Sequence, residues 1–339
     1  MRKTLCAVLA LVAGLSIPLH LFAYEDGRAD DKKQNYANSK FVWTENYVVE
    51  GANAAMAPSS EEIVTTVLSK DGKPLRWVRK NDIYKFGKFT GTSTFETALY
   101  NMAVDEMINN FEKDGTLRTG LFWGGVWTRD VSYSSLLSLS YMCPEKVRNS
   151  LEVKIDRMGR IIQDTGTGGS WPCSSDRVVW ALSAWNIYLA TGDMDWLKKA
   201  YPIIVKSLEC DDMVVYNPQT GLYRGESSFI DWREQSYPTW AQPADIYLSE
   251  CLGTNAAFYG VLKVTADMAA ALGNKKDAKK YTQKAEALKQ AINDKFWVEE
   301  EGYYASYWYG RQNLIRTQHS ETLGESFCVL FGIADEERA

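Results

Sequence analysis

Lys276-Asp277-Ala278-Lys279-Lys280-Tyr281 opens a helix-period stretch that runs to Phe296-Trp297 and is followed by Glu301-Gly302-Tyr303-Tyr304. The same order occurs earlier in the chain. Asp195-Trp196-Leu197-Lys198-Lys199-Ala200-Tyr201 starts a helical run, and Val215-Tyr216-Asn217 then leads to Gly221-Leu222-Tyr223. Each unit is a helix followed by a turn with Gly-aromatic-aromatic or Gly-Leu-Tyr, which reads as one helical hairpin repeated. Antiparallel helix pairs of this length can close into a double-layered helical barrel.

The same periodicity extends outward from these two units. Ser93 and Glu96 have capping-box spacing, and Phe95, Leu99, Met102, Ala103, Met107 and Ile108 recur on one face up to Phe111. Further helix-period runs cover 131–141, 146–162, 175–190, 195–209, 246–271, 274–296 and 320–333. That makes roughly eight helices, joined by connections too varied for an array of short solenoid repeats. Ahead of them, Phe41-Val42-Trp43, Tyr47-Val48-Val49 and Ile63 to Leu68 are strand-like, and Asp71-Gly72 lies between two such runs as a hairpin turn.

The run Met268-Ala269-Ala270-Ala271-Leu272-Gly273-Asn274-Lys275-Lys276-Asp277-Ala278, the helix through Gln290-Ala291-Ile292-Asn293-Asp294-Lys295-Phe296-Trp297 and the phrase Glu301-Gly302-Tyr303-Tyr304 together resemble the six-hairpin glycosidase superfamily. That group includes glycogen-debranching glucosidases, trehalase-like enzymes and alpha-L-rhamnosidases. The resemblance covers about 93–339 and rests on the order of the phrases. It implies a mainly α fold, an (α/α)6 toroid with its active site at one mouth. Relatives continue past a phrase like Leu330-Phe331-Gly332-Ile333-Ala334-Asp335 into further hairpins and usually supply the general base from there. A closed six-hairpin ring also needs more helices than periodicity finds. The expectation is therefore a barrel incomplete at its C-terminus, with the second catalytic carboxylate beyond Ala339.

Arg2 and Lys3 precede an apolar run from Leu5 to Phe22 that ends at Ala23, before Tyr24-Glu25-Asp26. This reads as a secretory signal peptide over 1–23, so an exported protein, periplasmic or extracellular, is expected. Pro18 and His20 interrupt the run, and no later segment approaches the roughly 20 apolar residues of a membrane span. The expected order is a signal peptide 1–23, a β-containing segment 24–91 and a six-hairpin catalytic domain 92–339.

The net charge is −5, and two units more acidic without Arg2 and Lys3. With no Lys/Arg cluster this argues against a nucleic-acid partner. Of the two histidines only His319 lies past the signal segment, which weighs against a His-rich metal site or a paired-His relay. No metal and no cofactor are expected, and carboxylates must carry the chemistry. Cys143, Cys173, Cys210, Cys251 and Cys328 lack CxxC spacing and read mostly as buried thiols. Trp, Tyr and Phe make up 13% of the chain, many beside Asp, Glu, Arg or Gly. Sugars present C–H faces between hydroxyls, so a carbohydrate pocket needs such aromatic plates ringed by charged groups. Nothing in these features sets an oligomeric state.

Four stretches concentrate these residue types. In Leu121-Phe122-Trp123-Gly124-Gly125-Val126-Trp127-Thr128-Arg129-Asp130, two plates, a cation and an anion lie within eight residues. Debranching-type relatives carry a similar aromatic Arg-Asp motif whose acid grips sugar hydroxyls, so the resemblance makes Trp123, Trp127, Arg129 and Asp130 substrate-binding candidates. The competing reading pairs Arg129 with Asp130, or makes Asp130 a helix cap. A glycine-rich stretch from Asp164 leads to Trp171, a candidate sugar platform, and to Asp176, which is readable as a helix cap alone.

The third stretch, Tyr223 to Pro238, compresses Glu226, Asp231, Glu234, Arg224 and Arg233 with several aromatics into one connection. Glycoside hydrolysis needs a carboxylic acid to protonate the leaving oxygen and a second carboxylate. A tryptophan neighbour raises a carboxyl pKa by desolvation. Asp231, beside Trp232, is therefore the first candidate for general acid and Glu234 the second, with Glu226, Trp232 and Arg233 around the sugar. The competing reading is a salt-bridged surface loop. A fourth stretch, Tyr303 to Tyr309 with Arg311, Arg316 and His319, is a candidate binding wall, and Glu321 reads as the start of the helix after Ser320.

The expected function is glycoside hydrolysis by carboxylate acid/base catalysis, inverting, with a carbohydrate substrate. A polysaccharide lyase on the same toroid and a non-catalytic periplasmic glycan-binding protein are the alternatives.

Overall fold

The structure, a computed structural model, describes residues 34–37, 41–162, 171–228 and 237–339. The expected signal peptide, 1–23, lies outside the described residues. The chain divides into two compact units, Met1–Asn110 and Phe111–Ala339. Among the described residues, no helix is long and apolar enough to cross a membrane.

The first unit is an antiparallel sheet whose six strands pair in chain order: β1 Gln34–Ala37, β2 Phe41–Thr44, β3 Tyr47–Glu50, β4 Asn53–Ser59, β5 Glu62–Leu68 and β6 Pro74–Val78. Asp71 and Gly72 turn β5 into β6, which pair at Leu68 and Pro74. Helix α1, Thr94–Asn109, packs on the sheet through Phe95 and Ala98 against Ala57 and Ile63, with Trp43 and Trp77 beside them. Its first turn is held as the box requires at Ser93, while the Glu96 carboxylate bonds one residue further out. Ser93 Oγ accepts from the Glu96 N–H at 3.1 Å, and the Glu96 carboxylate accepts from the Thr92 N–H at 2.6 Å.

The second unit is helical. Its helices are α2 Thr128–Ser134, α3 Pro144–Glu152, α4 Trp180–Thr191, α5 Met194–Val214, α6 Pro243–Leu248, α7 Leu252–Ala271, α8 Lys275–Phe296 and α9 Thr322–Phe331. A π turn, Ser135–Leu139, and a last helical turn, Ser140–Met142, continue α2. Short connections make α4–α5 and α7–α8 antiparallel pairs, and α2 with its extension pairs with α3 through Cys143. Two layers follow from burial. In α7, 15 of 20 residues are buried, so it is enclosed on all sides, whereas α8 buries one stripe: Tyr281, Ala285, Leu288, Ile292 and Phe296. The inner helices α2, α4, α7 and α9 pack in succession, with α3, α5 and α8 against their outer side.

Two expected helices are shorter than their periodicity suggests. The run 146–162 stops being helical at Glu152, because Asp156 accepts from the N–H groups of Met158 and Arg160 and Gly159 turns the chain with φ +76°. The run 246–271 is broken at Ser249–Cys251, where β9 (Glu250–Cys251) pairs with β12 (Tyr307–Tyr309) instead. The glycine turn itself is commoner than the sequence repeat shows. Phe111 bridges Leu117 around Gly115, and Ile155 bridges Ile161 around Gly159. The β7–β8 hairpin, Tyr216–Asn217 with Leu222–Tyr223, turns at Gly221, and the β10–β11 hairpin, Trp297–Val298 with Tyr303–Tyr304, turns at Gly302. One such turn follows each of α1, α3, α5 and α8.

Candidate active site

Antiparallel alternation sends every long connection of the second unit to the same end, the N-terminal end of the inner helices. The connections are 111–127, 153–179, 215–251 and 297–321. Residues at the first turns of α2, α4, α7 and α9 are thereby brought within reach of one another, and the buried polar groups gather there.

Arg129, in the first turn of α2, is buried and its guanidinium lies 3.8 Å from the carboxylate of Asp176, which is fully buried at the 3-10 turn leading into α4. Ser228 Oγ donates to Asp176 at 2.5 Å, and Tyr133 Oη is 2.8 Å from the same Ser228 Oγ. Burial, then the charge of Asp176, holds the Tyr133 hydroxyl well above the ordinary phenol range, so it stays protonated.

The segment Gly225–Ser228 is fixed from several directions. Gly225 has φ +131°, and a Cβ there would stand 2.8 Å from the Cys173 carbonyl oxygen, so only glycine allows this approach. The Glu226 N–H donates to that carbonyl at 2.9 Å, Thr254 Oγ1 donates to the Glu226 carbonyl at 2.5 Å, and the Ser227 N–H donates to Tyr237 Oη at 2.6 Å. Glu226 itself is fully buried.

Glu321 caps α9. Its carboxylate accepts from the N–H groups of Leu323 at 2.8 Å and Gly324 at 2.6 Å. A Cβ on Gly324 would collide with the Glu321 carboxylate, and one on Gly253 at the start of α7 would stand 3.1 Å from that carboxylate and 3.4 Å from Ser227 Oγ. The Glu321 carboxylate and the Gly225–Ser228 segment thus approach each other across a residue that has no side chain.

Of the candidates read from sequence, Arg129, Asp130 and Glu226 lie on elements that meet at this end. Trp127 is half-buried as N-cap of α2, and Trp123 is 64% exposed, its ring edge-on to Trp127 at 6.2 Å. Trp171 is half-buried and pinned: its indole N–H donates to Asp211 at 2.9 Å, and the Arg177 guanidinium covers its ring at 4.7 Å. Asp231, Trp232, Arg233 and Glu234 lie outside the described residues. Their described neighbours, Ser228 and Tyr237, are both anchored as above.

Sequence reasoning missed Ser228 and Tyr133 as partners and treated Asp176 as a cap. It also missed Asp211 on α5, fully buried 3.0 Å from Arg177. Burial pushes the Asp211 carboxyl up to about 7, against the pull of Arg177 and the Trp171 N–H. The available signal was the Asp176-Arg177 pair, an acid and a guanidinium at the start of an inner helix, as in Arg129-Asp130.

Residues 163–339 match the bacterial alpha-L-rhamnosidase six-hairpin glycosidase domain. The chain belongs to this family. Similar solved structures show the same fold for this six-hairpin glycosidase chain. A GH78 family rhamnosidase of Bacillus sp. GL1 is 17% identical, with a TM-score of 0.55 over 78% of this chain and 27% of that one. The GH63 mannosylglycerate hydrolase from Thermus thermophilus is 13% identical, with a TM-score of 0.51 over 70% of this chain and 73% of that one. The chain therefore spans about a quarter of the length of that rhamnosidase. No curated protein sequence matches it.

Proposed function

We propose that the chain carries part of the catalytic centre of an exported inverting glycoside hydrolase that cleaves alpha-L-rhamnosides, built on an (α/α)6 toroid. The observation that carries this reading is the convergence of Arg129, Asp176, Ser228, Glu226 and Glu321 at the end of the inner layer where all the long connections gather. Family membership supplies the sugar, and the two-layer alternation of hairpins supports the toroid. Leu137 beside α2 and Val329 and Leu330 on α9, all exposed, leave inner-layer surface for neighbouring hairpins. The Arg2-Lys3 start and the apolar run Leu5–Phe22 support export over 1–23, followed by a β-containing segment from 24 and the six-hairpin domain from about 92.

In this reading Asp231 protonates the leaving oxygen, with Glu234 as the alternative acid. Arg129 and Asp130, with Trp171 and the aromatic pair Trp123 and Trp127, hold the sugar. Glu226, Trp232 and Arg233 complete the subsite.

A panel of nitrophenyl glycosides given to the full-length protein, with the product anomer followed by NMR, tests the reading. Hydrolysis of the alpha-L-rhamnoside with inverted product is expected, and Asp231→Asn should lower kcat by about 10²–10⁴-fold. Retained turnover in that variant moves the acid to Glu234. Release of unsaturated uronides from an acidic polysaccharide would identify a lyase instead. Binding of glycans without any turnover would identify a lectin-like protein.

A further inference from the structure

Tyr303, Trp308 and Arg316 take no part in the site above, yet they line a groove of about 700 Å³. Two hairpins make it: β10–β11, turning at Glu299–Gly302, and β12 with β13 (Ile315–Arg316). Side chains alternate along β12. Tyr307 packs on Tyr237 at 5.4 Å and Tyr309 on Trp240 at 6.0 Å, on the side of the Gly225–Ala241 connection. Trp308 points the other way, and its indole N–H donates to the Lys295 carbonyl at the end of α8 at 3.0 Å. The groove therefore opens on the face of the strand that looks away from Tyr237.

Its lining is preorganised. Tyr303 Oη donates to the Gln318 carbonyl at 3.0 Å, Arg316 donates to the Trp297 carbonyl at 3.5 Å, and the Arg316 guanidinium lies 6.0 Å from the centre of the Trp308 ring. Both aromatic rings are thus held by their polar ends, so little side-chain entropy is lost when a ligand settles on them. Glu300, Glu301 and Gln318 add acceptors and donors around the rim. Two carboxylates against one guanidinium leave the lining net negative, which disfavours uronates and other anionic sugars. Fixed rings between acceptors and a guanidinium suit the alternating C–H and hydroxyl faces of an uncharged pyranose.

We propose that this groove is a second carbohydrate site, one that binds a neutral pyranose of a glycan through Trp308, Tyr303 and Arg316 on the far side of β12 from the catalytic connection. It rests on the proposed function only for the choice of sugar.

The test is calorimetric titration of the full-length protein with a trisaccharide of alpha-linked L-rhamnose, run beside hydrolysis of nitrophenyl alpha-L-rhamnoside. Trp308→Ala should weaken trisaccharide binding about tenfold and leave hydrolysis of the small glycoside within about twofold. Trp308→Phe, which keeps a ring, should retain most of the binding and so separates stacking from misfolding. Undiminished binding in Trp308→Ala, no binding by the unmodified chain, or equal loss of binding and hydrolysis would each overturn the proposal. Binding that depends on Trp308 in a full-length protein that hydrolyses no glycoside would uphold it while removing the hydrolase reading.

Discussion

Asp105 in the sheet unit and Asp211 in the helical unit are both fully enclosed carboxylates, and they end on opposite sides of the ordinary aspartate range. Burial pushes Asp105 up, but it accepts from the Asn81 N–H at 2.9 Å, the Asn81 amide at 2.8 Å and the Trp77 indole at 3.0 Å, and the sum leaves its pKa lowered. Asp211 has Arg177 at 3.0 Å and the Trp171 indole at 2.9 Å, while its second oxygen has no hydrogen-bond partner among the described residues, and burial wins. Fixed backbone and amide dipoles make a permanent anion that ties strand to helix. A carboxylate compensated mostly by one guanidinium keeps a proton within reach of neutral pH, and it sits where Trp171 must be positioned.

Breaking the helical side of this contrast should have the largest effect. Asp176→Ala leaves Arg129 buried beside an empty position and removes the acceptor of Ser228, and a loss of about 3–5 kcal/mol is expected by urea unfolding. A loss below about 1 kcal/mol, the range of an exposed pair, would show that Asp176 does not compensate Arg129.

On the sheet side, Asp105→Ala should cost about 1–3 kcal/mol, because several donors lose one acceptor. The loss should register as faster amide exchange in β6 and α1, with protection in α7 and α8 unchanged; equal loss of protection in both units would refute the separation.

In pH dependence the two residues pull in opposite directions. The native pKa of Asp211 stands above an unfolded value near 4, so between about pH 4 and 7 the native state binds more protons and stability falls as pH rises. Asp105, lowered in the native state, contributes stability that is complete above the unfolded pKa and is lost as pH falls through the native one. Calorimetric melting from about pH 3 to 8 should show Asp211→Asn flattening the upper limb alone and Asp105→Asn the acid limb alone. Each kcal/mol should move Tm by about 2–4 °C. An unchanged upper limb in Asp211→Asn would mean that Arg177 keeps the carboxylate ionised throughout.

Much of the fold is legible because it is local. The strand-like runs before Lys80, the turn at Asp71-Gly72, the capping pair Ser93 and Glu96 and the α8 stripe all announce themselves within one or two turns of chain. Periodicity failed at Glu152 and Ser249, where an Asp-Gly turn and a strand pairing with a distant part of the sequence interrupt the helices. The candidate site was legible as composition: aromatic, acidic and basic residues in the connections rather than in the helices. Its pairings were not, since Arg129 meets Asp176 and Asp176 meets Ser228 only after the inner helices pack. Likewise the bond of Trp171 to Asp211 and the Arg177 guanidinium over its ring were not legible, because neither partner pairing is visible in the linear order of residues.

The short connections of the helical unit, Gly192–Asp193 and Leu272–Asn274, close the end opposite the long ones, and each is locked by a helix cap: Asp193 on α5 and Asn274 on α8. A change of length in 215–251 or 297–321 is therefore absorbed where it occurs, because the helix pairs are registered from their other end. The scaffold behaves like a handle to which interchangeable tips are fitted. If the proposed hydrolase is correct, new sugar preferences would be reached by exchanging whole connections, while the fifteen enclosed residues of α7 are left untouched.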